Sequence, residues 1–178
     1  QLPDTHILPS VAVNISPVSL NQPDFLVKIS DILNEYPNAR PYLKLEITED
    51  AVMSHHSNIQ QTLAILEEQG LKLSLDDFGA GYSNFSRLPE LPFSALKIDR
   101  SLIRSLTSTR DKFHLILETM VSMGHKLGME IVIEGIETEA QHQIVADMGA
   151  QYGQGFLYSP GVPSPVAWTW IQAGRMPI

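Results

Sequence analysis

Leu71-Lys-Leu-Ser-Leu-Asp-Asp77 alternates apolar and polar residues and then ends in two adjacent acids. Alternation with period two reads as a strand with two unlike faces. A loop carrying Gly79 and Gly81 follows, and then a short helix predicted near Asn84 to Leu88. The same plan recurs on both sides. Upstream, Leu43-Lys-Leu-Glu-Ile-Thr48 is followed by Ile59, Leu63 and Leu66 at helical spacing, up to a helix stop at Gly70. Before that, Val11-Ala-Val-Asn-Ile15 leads through Ser16-Pro17 into the stripe Phe25, Leu26, Ile29, Ile32 and Leu33. Downstream, Ala95-Leu-Lys-Ile-Asp99 precedes the stripe Phe113, Ile116, Leu117, Met120 and Leu127. Ile131-Val-Ile-Glu134 is a fifth strand, with Thr138 as N-cap of a helix from Glu139 to Met148. Gln151 to Leu157 is a sixth, and a closing helix is predicted after Pro165.

Six strand-helix alternations imply a parallel sheet, because parallel neighbours need a crossover of about a dozen residues or more. Each strand ends in a polar or ionic tip: Asn14, Glu46, Asp76 with Asp77, Lys97, Glu134 and Gln154. An open doubly wound sheet binds at one switch point. Tips on every strand instead predict an α/β, TIM-barrel-like (β/α) barrel with its chemistry on one rim. A complete barrel has eight strands and about 250 residues. The 178 residues are therefore expected to form a single but incomplete barrel domain over 1–178, with about six of eight units present.

The charge balance narrows the partners. Twelve Lys and Arg stand against 20 Asp and Glu, for a net charge of -8, and no basic run occurs. Capture of a DNA or RNA duplex is not expected. An anionic ligand would need help from bound cations. The chain has no cysteine, which excludes disulfides and thiolate metal sites. No apolar stretch approaches the ~20 residues of a membrane span and no leader opens the chain, so a cytoplasmic protein without membrane contact is expected. Gln1, in place of Met, marks a processed product or a piece of something longer, such as a larger signalling protein.

Taken singly, Glu46, Asp76 and Glu134 read as solvated surface acids. Their position in strands with an apolar opposite face aims them at the barrel axis instead, where a carboxylate must be paired or bind metal. Asp76-Asp77 is the sharpest pair. Adjacent carboxylates repel each other unless divalent cations intervene, and one aspartate can bridge two ions about 3.5 to 4 Å apart. The bland alternative is a helix cap or loop turn. All-oxygen donors favour Mg²⁺ or Mn²⁺ over zinc. Lys97 shares a strand face with Ala95 and Asp99, so it either serves the site or forms a structural ion pair with Asp99. Gly153-Gln-Gly155 brings backbone close and offers the Gln154 amide. Asp77-Phe-Gly79 is also the tripeptide of the kinase magnesium loop, but no glycine-rich phosphate loop accompanies it. His6, His55, His56, His114, His125 and His142 show no ligand spacing and read as surface or packing residues.

Val13-Asn-Ile-Ser-Pro17, Leu45-Glu-Ile-Thr-Glu49, Asp76-Asp-Phe-Gly-Ala-Gly-Tyr-Ser83, Leu96-Lys-Ile-Asp99, Glu134-Gly-Ile-Glu137 and Tyr152-Gly-Gln-Gly-Phe156 together resemble the EAL family of cyclic di-GMP phosphodiesterases, from about Val11 to Pro163. The resemblance implies hydrolysis of cyclic di-GMP to the linear dinucleotide pGpG with two Mg²⁺ or Mn²⁺ ions. It implies that Asn14, Glu46 and Asp76 hold one ion and Asp76, Asp77 and Glu134 the second. Lys97 would contact the attacking water, Gln154 would support it, and Glu134 would count among the catalytic groups as well as the ligands. Glu49 would anchor the loop from Asp77 to Ser83, which in the family is tied to dimerisation, and Glu137 would be a supporting partner behind the ligands.

The chain departs from the family in one respect. The Glu-Ala-Leu tripeptide and the substrate-gripping arginine of its strand do not occur, so the chain matches the C-terminal three-quarters of such a domain. It is expected to be weakly active or inactive alone; the alternative is a non-catalytic module that binds cyclic di-GMP or a protein partner. Two parallel edges, Val11 to Ile15 and Gln151 to Leu157, are expected to promote homodimerisation or other self-association.

Overall fold

The computed structural model describes residues 10–53, 59–81, 85–104, 106 and 112–173. Strands β1 (Val11–Ile15), β2 (Leu43–Thr48), β3 (Lys72–Phe78), β4 (Ala95–Ile98), β5 (Glu130–Ile133) and β6 (Tyr152–Gly153) pair in chain order, all parallel. They form a half-barrel. Helices α1 (Pro17–Leu20), α2 (Phe25–Glu35), α3 (Glu49–Met53), α4 (Ile59–Glu68), α5 (Arg100–Arg104), α6 (Lys112–Lys126), α7 (Glu139–Asp147) and α8 (Ser164–Ala173) lie between and after the strands. Two 3₁₀ segments, Pro37–Tyr42 and Phe85–Glu90, complete the connections. None of the described helices is long and apolar enough to cross a membrane.

A parallel sheet covered on both faces reads as near-continuous apolar runs. These strands alternate, and the structure shows why. Leu45, Ile47, Leu73, Leu75, Leu96, Ile98, Ile131 and Ile133 are buried on the helix-facing side, with Leu33, Leu63, Leu66, Leu117 and Val121 of the helices in the same core. Alternation then delivers Glu46, Ser74, Asp76 and Lys97 to the concave side. Gly124 lets α6 approach the sheet closely: a Cβ there would fall 2.3 Å from Ile131 Cδ1 and 3.4 Å from Leu96 Cδ2.

Several elements differ from the sequence reading. In α6 the buried face is Leu117, Met120, Val121 and Gly124, whereas Phe113 and Ile116 of the expected stripe are 41% and 42% exposed. Strand β4 stops at Ile98, and the Asp99 side chain accepts the Ser101 N–H at 2.8 Å at the start of α5. Strand β6 has two residues where seven were expected, because the chain leaves the ladder after Gly153 and enters a turn in which Tyr158 N–H donates to Gly155 O at 3.1 Å. The short helix expected from Asn84 is the 3₁₀ segment from Phe85, and Asn84 itself lies outside the described residues. So do Tyr82 and Ser83 of the loop after β3, and His6, His55 and His56. Thr138 caps α7 as expected, within a capping box in which Gln141 reciprocates.

Candidate active site

Register fixes which side chains share the concave face. Asn14 pairs with Glu46, Glu46 with Ser74, Thr48 with Asp76, and Lys97 with Val132, two residues before Glu134. Partners in a parallel ladder point the same way, as do residues i and i+2 along a strand. The result is one buried ammonium among acids from three neighbouring elements. Lys97 Nζ lies 2.9 Å from Glu46 Oε1, 2.8 Å from Asp76 Oδ1 and 2.7 Å from Glu134 Oε1. Lys97 is 5% and Asp76 7% exposed. Burial works against the lysine's charge, but the hydrogen bonds it donates to Asp76, Glu134 and Glu46 more than offset it and hold its pKa above the usual lysine value. The structural pairing with Asp99 that the sequence left open is not formed.

Asp77 reaches the same space by a backbone irregularity. Between β3 and β4 the register runs Leu75 to Leu96 and then Phe78 to Ile98, so β3 carries one extra residue. Asp77 occupies that bulge with a φ of 55°, in the left-handed region that non-glycine residues seldom adopt. Ligand atoms of Asp76, Asp77 and Glu134 consequently lie within 4.8 Å of one another. Burial, and then the charges of Asp76 and Asp99, push the Asp77 carboxyl up from its ordinary value. The Glu134 carboxyl is also raised, by burial first, although Lys97 pulls the other way.

Three carboxylates, Glu46, Asp76 and Glu134, thus contact one ammonium with Asp77 beside two of them, and the excess negative charge suits hard divalent cations. The donor set fits a hard divalent cation: three carboxylates already converge, and Glu46 joins them through Lys97. Asn14 is exposed on the edge strand β1 and reaches the group only through its register with Glu46.

Glu49 opens α3, is buried at 5% exposure, and accepts the Gly79 N–H on Oε2 at 3.5 Å. It therefore ties the start of the loop after β3 to the end of β2. Beside the cluster opens a cleft of about 400 Å³ whose lining includes Asp77, Asp99, Glu134, Glu137, Gln154 and Phe156. Glu137 faces that cleft and lies 3.8 Å from Arg104 Nη2, not among the ion cluster. Gln154 is exposed at the mouth. Sequence reasoning passed over Arg100, which also lines the cleft, and gave no role to Phe156 although it closes a quoted segment. Arg100 directly follows such a segment, and that adjacency was the available signal. A second cavity of about 510 Å³ lies along α6, with Glu118, Met123 and Lys126 in its wall, and holds none of these groups.

Comparison with known proteins agrees with this geometry. The EAL domain family matches residues 1–161. The chain is 35% identical over 168 residues to the cyclic di-GMP phosphodiesterase NbdA of Pseudomonas aeruginosa, covering 93% of this chain and 21% of that protein. The crystal structure of the EAL domain of Mycobacterium smegmatis DcpA superimposes with a TM-score of 0.87 at 33% identity, covering 94% of this chain and 75% of that one. A manganese and cyclic di-GMP complex of Klebsiella pneumoniae BlrP1 gives 0.76 at 31% identity, over 85% of this chain and 38% of that one. The chain spans about a fifth to a quarter (19% to 26%) of the length of the curated relatives it matches. With a match over nearly its whole length and the ion cluster in place, the chain belongs to the EAL domain family.

Proposed function

We propose that the chain is a partial EAL domain, the C-terminal three-quarters of one, from an enzyme that hydrolyses cyclic di-GMP to pGpG with two Mg²⁺ or Mn²⁺ ions in the complete domain. One observation carries the reading: Asp76, Asp77 and Glu134 converge within 4.8 Å beside a buried ammonium, on the rim where barrel enzymes do their chemistry. NbdA is named a cyclic di-GMP phosphodiesterase and BlrP1 binds manganese with cyclic di-GMP, which supports the choice of ligand and ion.

In this reading Asn14, Glu46 and Asp76 would hold one ion, and Asp76, Asp77 and Glu134 the other. When bound, such ions neutralise phosphate charge and lower the pKa of a coordinated water. The protein's own groups do the remaining work. The three Lys97 donors keep Glu46, Asp76 and Glu134 at fixed spacing, and once a carboxylate turns to a bound ion, the freed N–H would orient the attacking water. Gln154 supports that water from the cleft mouth. Glu49 steadies the loop at Gly79, and Glu137 backs the acidic side of the cleft.

The isolated chain is proposed to turn over weakly or not at all, since no Glu-Ala-Leu tripeptide occurs in it. It is also proposed to self-associate: β1 and β6 are the sheet edges, and Val11 and Val13 are 60% and 41% exposed. Incubation with cyclic di-GMP and Mn²⁺, with chromatography for pGpG and calorimetry for binding, tests the functional reading on this chain and on its full-length parent. Conversion by the parent with binding but little conversion by the chain is expected. Failure of both to bind or convert cyclic di-GMP would overturn it, and binding by the parent without conversion would select the non-catalytic alternative.

A further inference from the structure

Gln154 directly follows the shortest strand of the sheet, which pairs with β5 over only two residues. Something else must hold it. The backbone here is stitched to the end of β5 and the segment after it: Gln154 N–H donates to Ile133 O at 2.8 Å, Ile136 N–H to Gln154 O at 3.1 Å, and Leu157 N–H to Ile136 O at 3.0 Å. Tyr158 then folds back beneath the strand. A Cβ on Gly153 would fall 2.6 Å from Tyr158 Oη, so the hydroxyl lies directly against the β6 backbone.

That hydroxyl is 2.7 Å from His142 Nδ1, and the two rings meet edge to face, with centroids 5.9 Å apart and planes at 81°. Burial, and then the Glu139 charge, push the Tyr158 phenol up, so it stays protonated at neutral pH. His142 belongs to α7, whose start is itself fixed. Gln141 Oε1 accepts the N–H groups of Glu137 and Thr138, and Gln141 Nε2 donates to Ile103 O at 3.5 Å. A continuous path of contacts therefore runs from α5 through α7 and Tyr158 to the Gln154 turn. Neither His142 nor Tyr158 lines the cleft.

We propose that His142 and Tyr158 are positioning residues, a side-chain latch between α7 and the turn after β6 that sets where Gln154 and Phe156 stand at the cleft mouth. The effect on ligand rests on the cyclic di-GMP reading; the latch itself does not. Hydrogen-exchange mass spectrometry on the whole chain tests the latch. Tyr158→Phe keeps the ring and removes only the hydroxyl, so it should speed exchange of residues 152–158 about five-fold, the weight of one hydrogen bond, and leave β2 to β4 unchanged. His142→Leu should act alike, whereas His142→Asn, whose amide can replace Nδ1, should restore protection. Calorimetry with cyclic di-GMP and Mn²⁺ should show weaker binding for Tyr158→Phe and His142→Leu but not for His142→Asn. Unchanged exchange in Tyr158→Phe would overturn the latch, and faster exchange with unaltered affinity would overturn its positioning role. If the unmodified chain binds no cyclic di-GMP, the functional reading fails while the exchange comparison still decides the latch.

Discussion

The carboxylates of Asp76 and Asp77 meet within 4.8 Å on one side of the sheet although the two residues are consecutive in the chain. In a regular strand they would face opposite sides. The bulge at Asp77, with its φ of 55°, removes that constraint.

Asp77→Asn keeps the size of the side chain and removes one of the repelling charges. Without metal the variant should melt at the same temperature as the parent or higher, while its Mn²⁺ affinity falls at least about ten-fold, as for groups supporting a metal. Calorimetry and thermal melts check both. Undiminished affinity would remove Asp77 from the ligand set.

Lys97→Met leaves Glu46, Asp76 and Glu134 facing one another without their ammonium. Removing one partner of a buried pair costs about 3–5 kcal/mol. Urea unfolding should show a loss of that order, partly recovered by saturating Mn²⁺. A loss below about 1 kcal/mol, the range of exposed pairs, would mean that the cluster behaves as a surface group.

Gly155→Ala tests the turn below Gln154. Its Cβ would lie 2.1 Å from Ile136 O and 2.4 Å from Ile136 N, where neither backbone atom can yield cheaply. Overpacking of this kind costs about 1–3 kcal/mol. Urea unfolding measures it, and a neutral result would show that the segment after β5 is free to shift.

Val13→Lys probes the open edge. Val13 is 41% exposed on β1, which pairs only with β2 among the described strands. A charge on an edge strand discourages pairing between chains. Sedimentation of the parent chain at micromolar concentration should show self-association, and the variant should show less. A monomeric parent would exclude the edge as a contact.

Legibility in the sequence followed how local the cause was. Strands β1 and β2 were readable to the residue from side-chain alternation, which in β2 reflects a buried outer face and a polar inner one, while Val11 and Val13 of the edge strand β1 stay exposed. Glu46, Asp76, Lys97 and Glu134 came together for the same reason. The bulge at Asp77 was invisible, since an extra residue in a ladder is defined only against the partner strand. Asp99 was misplaced because its carboxylate finds the Ser101 N–H at a helix start, a local bond that competes with strand continuation. Phe113 and Ile116 carry helical spacing, but only packing against the sheet decides which stripe is buried, and Gly124 fixes it elsewhere. The seven-residue sixth strand failed on its glycines: Gly153 is the last residue to pair with β5, and at Gly155 the backbone packs against that of Ile136 instead of continuing the ladder.

The triple engagement of Lys97 also bears on how the chain finds its fold. Its three partners come from β2, from β3 and from the segment directly after β5, so the ammonium is satisfied only when four neighbouring strands are mutually aligned. A slip of one residue in any of them would turn a carboxylate, or in β4 the lysine itself, toward the helices and strand a charge in the apolar layer. The groups assigned here to chemistry therefore also proofread assembly: misaligned sheets are penalised before any ligand is present.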